Sequence, residues 1–232
     1  MLGILTLDTA FPRIPGDVGC AETFDFPVRY ATVAGATADE IVHRGSDAML
    51  PRFIRAAAEL VDAGCVGIAT TCGFLARWQR DLAAEVSVPV LTSPLLLLPL
   101  VAQTLPAHRK VGVVTYSAAA LTPALLELCG APAYTPVAGV DAQGYFASTI
   151  RRGSDRLDSA RMSADVVDAA RHLVAQHQDV GAIVLECANM PPYRDAVAAA
   201  TELPVFDAAQ LVAWFHRGVQ GSARRHARRN LW

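Results

Sequence analysis

Cys65-Val66-Gly67-Ile68-Ala69-Thr70-Thr71-Cys72-Gly73, followed by a helical segment and Val88-Pro89-Val90-Leu91, is the stretch whose reading decides the fold. A second copy follows later. It reads Val180-Gly181-Ala182-Ile183-Val184-Leu185-Glu186-Cys187-Ala188, a helical segment, then Leu203-Pro204-Val205-Phe206. In each copy the Cys lies 17 residues before the Pro. Each Cys ends a short apolar run, where a buried strand turns into a helix. Two like-placed thiols from two like-built halves are the main functional signal.

The rest of the chain extends this pattern. Gly3-Ile4-Leu5-Thr6-Leu7 is a first buried parallel strand, with Asp8 and Thr9 at its carboxyl end. Residues 10–27 hold four prolines or glycines before Pro27 and form a long loop of the kind that covers binding sites. Val28 to Ala34 is a second strand, and Ser46 caps a helix that Gly64 stops. Leu75 to Val86 and Leu95 to Leu105 are helical. The second half restarts at Val111-Gly112-Val113-Val114-Thr115-Tyr116-Ser117, which mirrors Gly3 to Asp8. Helices are expected over Ala118 to Leu128, Ala142 to Arg151, Ser159 to Gln176 and Pro191 to Thr201, with a short strand at Ala133 to Val137. Ala208 to Val219 is the final helix.

Alternating strands and helices predict an α/β fold with parallel sheets. The repeat divides it into two pseudo-symmetric lobes, each a short parallel sheet flanked by helices. The first lobe is 1–102, with helix 208–219 packing back on it, and the second is 103–207. Ligands in such sheets bind outside the carboxyl ends of the strands. Asp8, Thr9, Cys72, Tyr116, Ser117 and Cys187 all fall at such ends.

Composition narrows the function. At 232 residues and 53% hydrophobic, the chain can bury a sizeable core. A net charge of −2 asks for neither nucleic acid nor an anionic membrane. Arg224, Arg225, Arg228 and Arg229 form a solvated tail, since no aromatic residues interleave with them. The apolar stretch from Val88 to Ala102 is cut by Pro89, Thr92, Ser93, Pro94 and Pro99 and is no membrane span. Five cysteines, an odd count, with no secretory start point to a reduced, cytoplasmic compartment.

Cys20, Cys65 and Cys129 are small core residues. Cys72 and Cys187 differ because each occupies the strand-to-helix turn of its own half, where the helix N-terminus favours a thiolate. Two facing thiols suit removal of a proton from one side of a carbon and its return from the other. No Cys-x-x-Cys occurs and no His has zinc-ligand spacing to a Cys, so no metal is expected. No glycine-rich phosphate loop is present. Thr70, Thr71, Tyr116, Ser117 and Asn189 are polar candidates for a carboxylate. Glu186 reads as a strand-terminal acid that orients neighbours or caps the next helix.

Thr70-Thr71-Cys72-Gly73, Leu185-Glu186-Cys187-Ala188 and the opening Gly3 to Thr9 resemble the aspartate/glutamate racemase superfamily, with its hydantoin racemases, maleate isomerases and arylmalonate decarboxylases. The resemblance covers nearly the whole chain. It implies an active site in a cleft between two lobes, no cofactor, a small-molecule carboxylate substrate and a homodimer. Cys72 and Cys187 match the catalytic pair, and Asp8 and Thr9 match the acid and hydroxyl after the first strand. Thr71, Gly73, Tyr116, Ser117, Ala188 and Asn189 complete the expected substrate-binding set. Amino-acid racemases of the group usually place Asn-Thr after the first Cys and Thr after the second. Here those places hold Gly73-Phe74 and Ala188-Asn189, so the groups that grip an amino acid are altered. The expectation is a cofactor-independent racemase or epimerase acting on a chiral carboxylate, amino acid or hydantoin. A maleate-isomerase-like or arylmalonate-decarboxylase-like enzyme, or a non-catalytic binding relative, is the alternative.

Overall fold

A computed structural model describes the backbone of residues 1–229 and the side chains through Gln220. The arginine-rich tail therefore lies outside the described side chains. Eight parallel strands form two four-stranded sheets. In the first, β1 (Leu2–Leu7), β2 (Val28–Val33), β3 (Ile68–Thr70) and β4 (Val90–Leu91) lie in the order β2-β1-β3-β4. In the second, β5 (Lys110–Thr115), β6 (Val137–Gly139), β7 (Val180–Leu185) and β8 (Val205–Phe206) lie in the order β6-β5-β7-β8. The duplicated sequence is thus a duplicated topology. Strands β1, β5 and β7 are almost wholly buried, which is why they read as apolar runs without alternation.

The helices are α1 (Leu50–Asp62), α2 (Gln79–Glu85), α3 (Leu98–Thr104), α4 (Pro123–Leu128), α5 (Tyr145–Arg152), α6 (Ser159–Gln176), α7 (Arg194–Thr201) and α8 (Ala208–Arg229). Their starts follow capping chemistry. Asp158 accepts from Arg161 N to begin α6, and Thr122 accepts from Leu125 N to begin α4. That cap, with Pro123 in the first turn, explains why α4 begins well after the expected Ala118. The strand expected at Ala133 to Val137 lies instead at β6, beyond Pro132 and Pro136, which have no N–H to give a ladder. Several helices open with a 3-10 turn, including Gly73–Trp78 ahead of α2 and Pro191–Tyr193 ahead of α7.

One apolar core runs through both lobes, from Leu5, Phe53, Ile68 and Leu75 to Val113, Phe146, Val166 and Ile183. A second cluster sets Leu211, Val212 and Val219 of α8 against Leu2 and Ile4 of β1, Ala69 of β3 and Leu91 of β4. The Leu95 to Val101 segment is mostly absorbed internally: Leu95, Leu98 and Val101 are buried, while Leu100 is exposed. No helix among the described residues is long and apolar enough to cross a membrane.

Phe53 is fully buried on α1, its ring 5.4 Å from that of Trp78, whose indole N–H donates to Asp47 at 2.7 Å. Phe53→Ala leaves a cavity and costs about 3–5 kcal/mol. Urea unfolding followed by tryptophan fluorescence reads that loss as a lower midpoint at an unchanged slope.

Candidate functional site

The carboxyl ends of β3 and β7 deliver Cys72 and Cys187 into one cavity. Its walls are Leu7, Ala38, Val42, Thr71, Cys72, Gly73, Phe74, Tyr116, Ile150, Glu186, Cys187 and Asn189. Both lobes contribute. The cavity is narrow, about 30 Å³, room for a water molecule. A wider pocket of about 250 Å³ adjoins it across Tyr116 and is lined by His43, Ser117, Ala142 and Arg151, among others.

The two thiols have different surroundings. Cys72 is the N-cap of the 3-10 turn, and the Phe74 and Leu75 amides are directed at its sulfur. Burial nevertheless pushes the thiol up to about 12, helped by the charge of Glu186, while those amides and Arg77 oppose the rise. Cys187 donates its S–H to Asn189 Oδ1 at 3.5 Å, a contact that favours the neutral thiol. Burial, then Glu186, pushes Cys187 well above the usual thiol range, opposed by the Asn189 amide. Asn189 is itself held by Asp17, which accepts from its Nδ2 at 2.8 Å. Arg13 fixes Asp17 through two contacts of 3.1 Å. The long loop after β1 is therefore latched onto the Cys187 turn, with Val18 N donating to Ala188 O at 3.1 Å.

Glu186 lies with the two thiols in the cavity wall and is 1% exposed. Its Oε2 accepts from Thr115 Oγ1 at 2.8 Å and from Tyr116 N at 3.3 Å, and the Gly73 amide of the other lobe also donates to the carboxylate. A Cβ at position 73 would overlap Glu186 Oε1, so the side chain missing at Gly73 is the space that Glu186 fills. Burial raises Glu186 to about 7, against which the three donors act.

Of the residues singled out from sequence, Thr71, Cys72, Gly73, Tyr116, Cys187 and Asn189 line the cavity. Thr71 Oγ1 is buried there and is the only buried side-chain oxygen or nitrogen without a partner among the described residues. Ser117 lines the adjoining pocket. Ala188 is buried behind Cys187. Asp8 is exposed and accepts from Gly35 N, and Thr9 accepts from Arg13; neither lines the cavity. Sequence reading gave no role to Arg13 and Asp17, since an irregular loop carries no periodic signal. Among the described residues, no group of three or more His, Cys, Asp or Glu side chains is gathered for a metal ion.

The profile of the Asp/Glu/hydantoin racemase family matches residues 97–215. The chain belongs to that family. Its relatives include a dimethylsulfoniopropionate lyase of Durusdinium sp. clade D, 30% identical over 96% of this chain and 76% of that protein. Dimethylsulfoniopropionate lyases 7 and 3 of Emiliania huxleyi are 34% and 33% identical over 89% of this chain. The chain spans 63% and 56% of those two proteins. Among solved structures, unliganded arylmalonate decarboxylase matches with a TM-score of 0.62 at 17% identity, over 95% of this chain and 92% of that one. Glutamate racemase of Bacillus anthracis matches at 0.61 with 15% identity, over 95% and 81%. These structures share the fold.

Glu186 sets a pH dependence of stability. Its folded value of about 7 lies above its ordinary 4.5, so the folded chain holds this proton more tightly between those values. Stability falls as the pH rises through that window and levels above it, by about 3 kcal/mol. Glu186→Gln removes this fall. Urea unfolding across the window, compared between the two proteins, checks it.

Proposed function

We propose that the chain is a cofactor-independent carbon–acid lyase that eliminates dimethyl sulfide from dimethylsulfoniopropionate or a close onium analogue. The observation that carries this reading is the pair of buried thiols, Cys72 and Cys187, in the wall of one cavity. The identity to proteins named as lyases of that substrate turns the reading from racemisation, expected from sequence, to elimination.

The two reactions share their first step, removal of a proton beside a carboxylate. Cys72 is the base: two amides face its sulfur, whereas Cys187 gives its S–H to Asn189. The thiolate of Cys72 takes the α-proton. The C–H electron pair forms the Cα=Cβ bond, and the Cβ–S bond breaks with its pair on sulfur. Acrylate and neutral dimethyl sulfide leave, and the proton on Cys72 returns to solvent. The unpartnered hydroxyl of Thr71 receives the substrate carboxylate. Phe74 and Tyr116 offer aromatic faces to the sulfonium. The cavity is too narrow for the whole substrate, whose remainder extends past Tyr116 into the adjoining pocket.

Retention of both cysteines supports a second reading. On a chiral acid with no β leaving group, Cys187 would return the proton on the opposite face, and the outcome would be racemisation.

Incubation with dimethylsulfoniopropionate yields acrylate, followed by proton NMR. Cys72→Ser lowers kcat/KM by about 10²–10⁴, since a hydroxyl is a poor base near neutral pH. Cys187→Ser lowers it less. No acrylate from the unaltered chain, together with racemisation of a chiral acid, favours the second reading.

A further inference from the structure

We propose that Glu186 selects the charge of the substrate: its buried carboxylate, seated in the space left by Gly73, is the counter-ion for a positively charged onium group in the cavity. This rests on the elimination reading of the same site.

A buried carboxylate is costly unless it is hydrogen-bonded and paired with a cation. Glu186 has the first condition and lacks the second. Thr115 Oγ1, Tyr116 N and Gly73 N are all neutral donors. No Lys, Arg or His pairs with it among the described residues, and none lines the cavity. The donors suit an ionised carboxylate, since each presents a hydrogen to it. The titratable groups around it are the phenol of Tyr116 in the same wall and the thiols of Cys72, Cys187 and Cys129, all three of which its charge pushes up. Once Glu186 is ionised, the wall therefore carries one charge that no described side chain offsets.

The ligand can supply the missing cation. An onium carboxylate brings its negative end to neutral groups such as Thr71 and its positive end to Glu186. A dicarboxylate brings a second negative charge instead and is disfavoured. The same field links recognition to chemistry. Burial, and then the charge of Glu186, keeps Cys72 protonated while no cation is present; a bound onium offsets the second of these and eases ionisation of the base as the substrate seats.

Calorimetric titration with two ligands that differ only in charge tests this. Beta-alanine betaine carries a trimethylammonium group. Its isostere with carbon in place of that nitrogen keeps the carboxylate but ends in an uncharged tert-butyl group. The unaltered chain binds the betaine at least about tenfold more tightly. Glu186→Gln abolishes that preference. Thr115→Val keeps the side-chain shape, removes one donor from the carboxylate and shrinks the preference, so it decides the matter if the Gln variant does not fold. A second readout needs no substrate: Cys72 is alkylated by iodoacetamide at lower pH in either variant than in the unaltered chain, read peptide by peptide by mass spectrometry. Equal binding of the two ligands by the unaltered chain overturns the proposal, as does a preference that survives in both variants. Acrylate formation without charge preference refutes the role of Glu186 and leaves the lyase reading standing. Charge preference lost on Glu186→Gln, without acrylate formation, does the reverse.

Discussion

The carboxylate of Glu186 meets three neutral donors at the junction of the two lobes, and the site is built around it. One donor, the Gly73 amide, comes from the first lobe; Thr115 and Tyr116 come from the second. The contact fixes the Cys72 turn relative to the Cys187 turn. It also demands that position 73 carry no side chain, because a Cβ there would overlap the carboxylate. A single buried carboxylate thus positions both thiols and, after burial itself, is the main influence that keeps them protonated.

The fold places that charge by simple means. Parallel strands buried on both faces put their carboxyl ends together, and the repeated strand order puts β3 and β7 at like positions in the two sheets. The second residue after β3 and after β7 is then the cysteine, at a turn where backbone amides face the sulfur. The surrounding latch is less symmetric. Arg13, Asp17 and Asn189 form a chain that ends on the sulfur of Cys187, whereas Cys72 is held through its backbone by Thr70 Oγ1. A duplicated scaffold with unequal thiols suits a reaction that needs one base more than an interchangeable pair.

The paired cysteines, both sheets and the strand-to-helix turns were legible in the sequence because each depends on local pattern. Apolar runs mark buried strands, and the equal spacing from Cys72 to Pro89 and from Cys187 to Pro204 marks the duplication. Glu186 was visible only as a strand-terminal acid. It does orient its neighbours, but its importance depends on an absent side chain in the other lobe, and no local pattern reports that. Asp17 and Arg13 act through a loop whose path is set by tertiary contacts. The start of α4 and the position of β6 shifted because proline and threonine chemistry overrode apolar periodicity.

The central claim is that a cysteine thiolate removes the α-proton of an onium carboxylate. Single-turnover rates with unlabelled and α-dideuterated dimethylsulfoniopropionate test it most directly. Acrylate is expected to form several-fold more slowly from the deuterated substrate. Equal rates from the two substrates, with the bond to sulfur still broken, would contradict it.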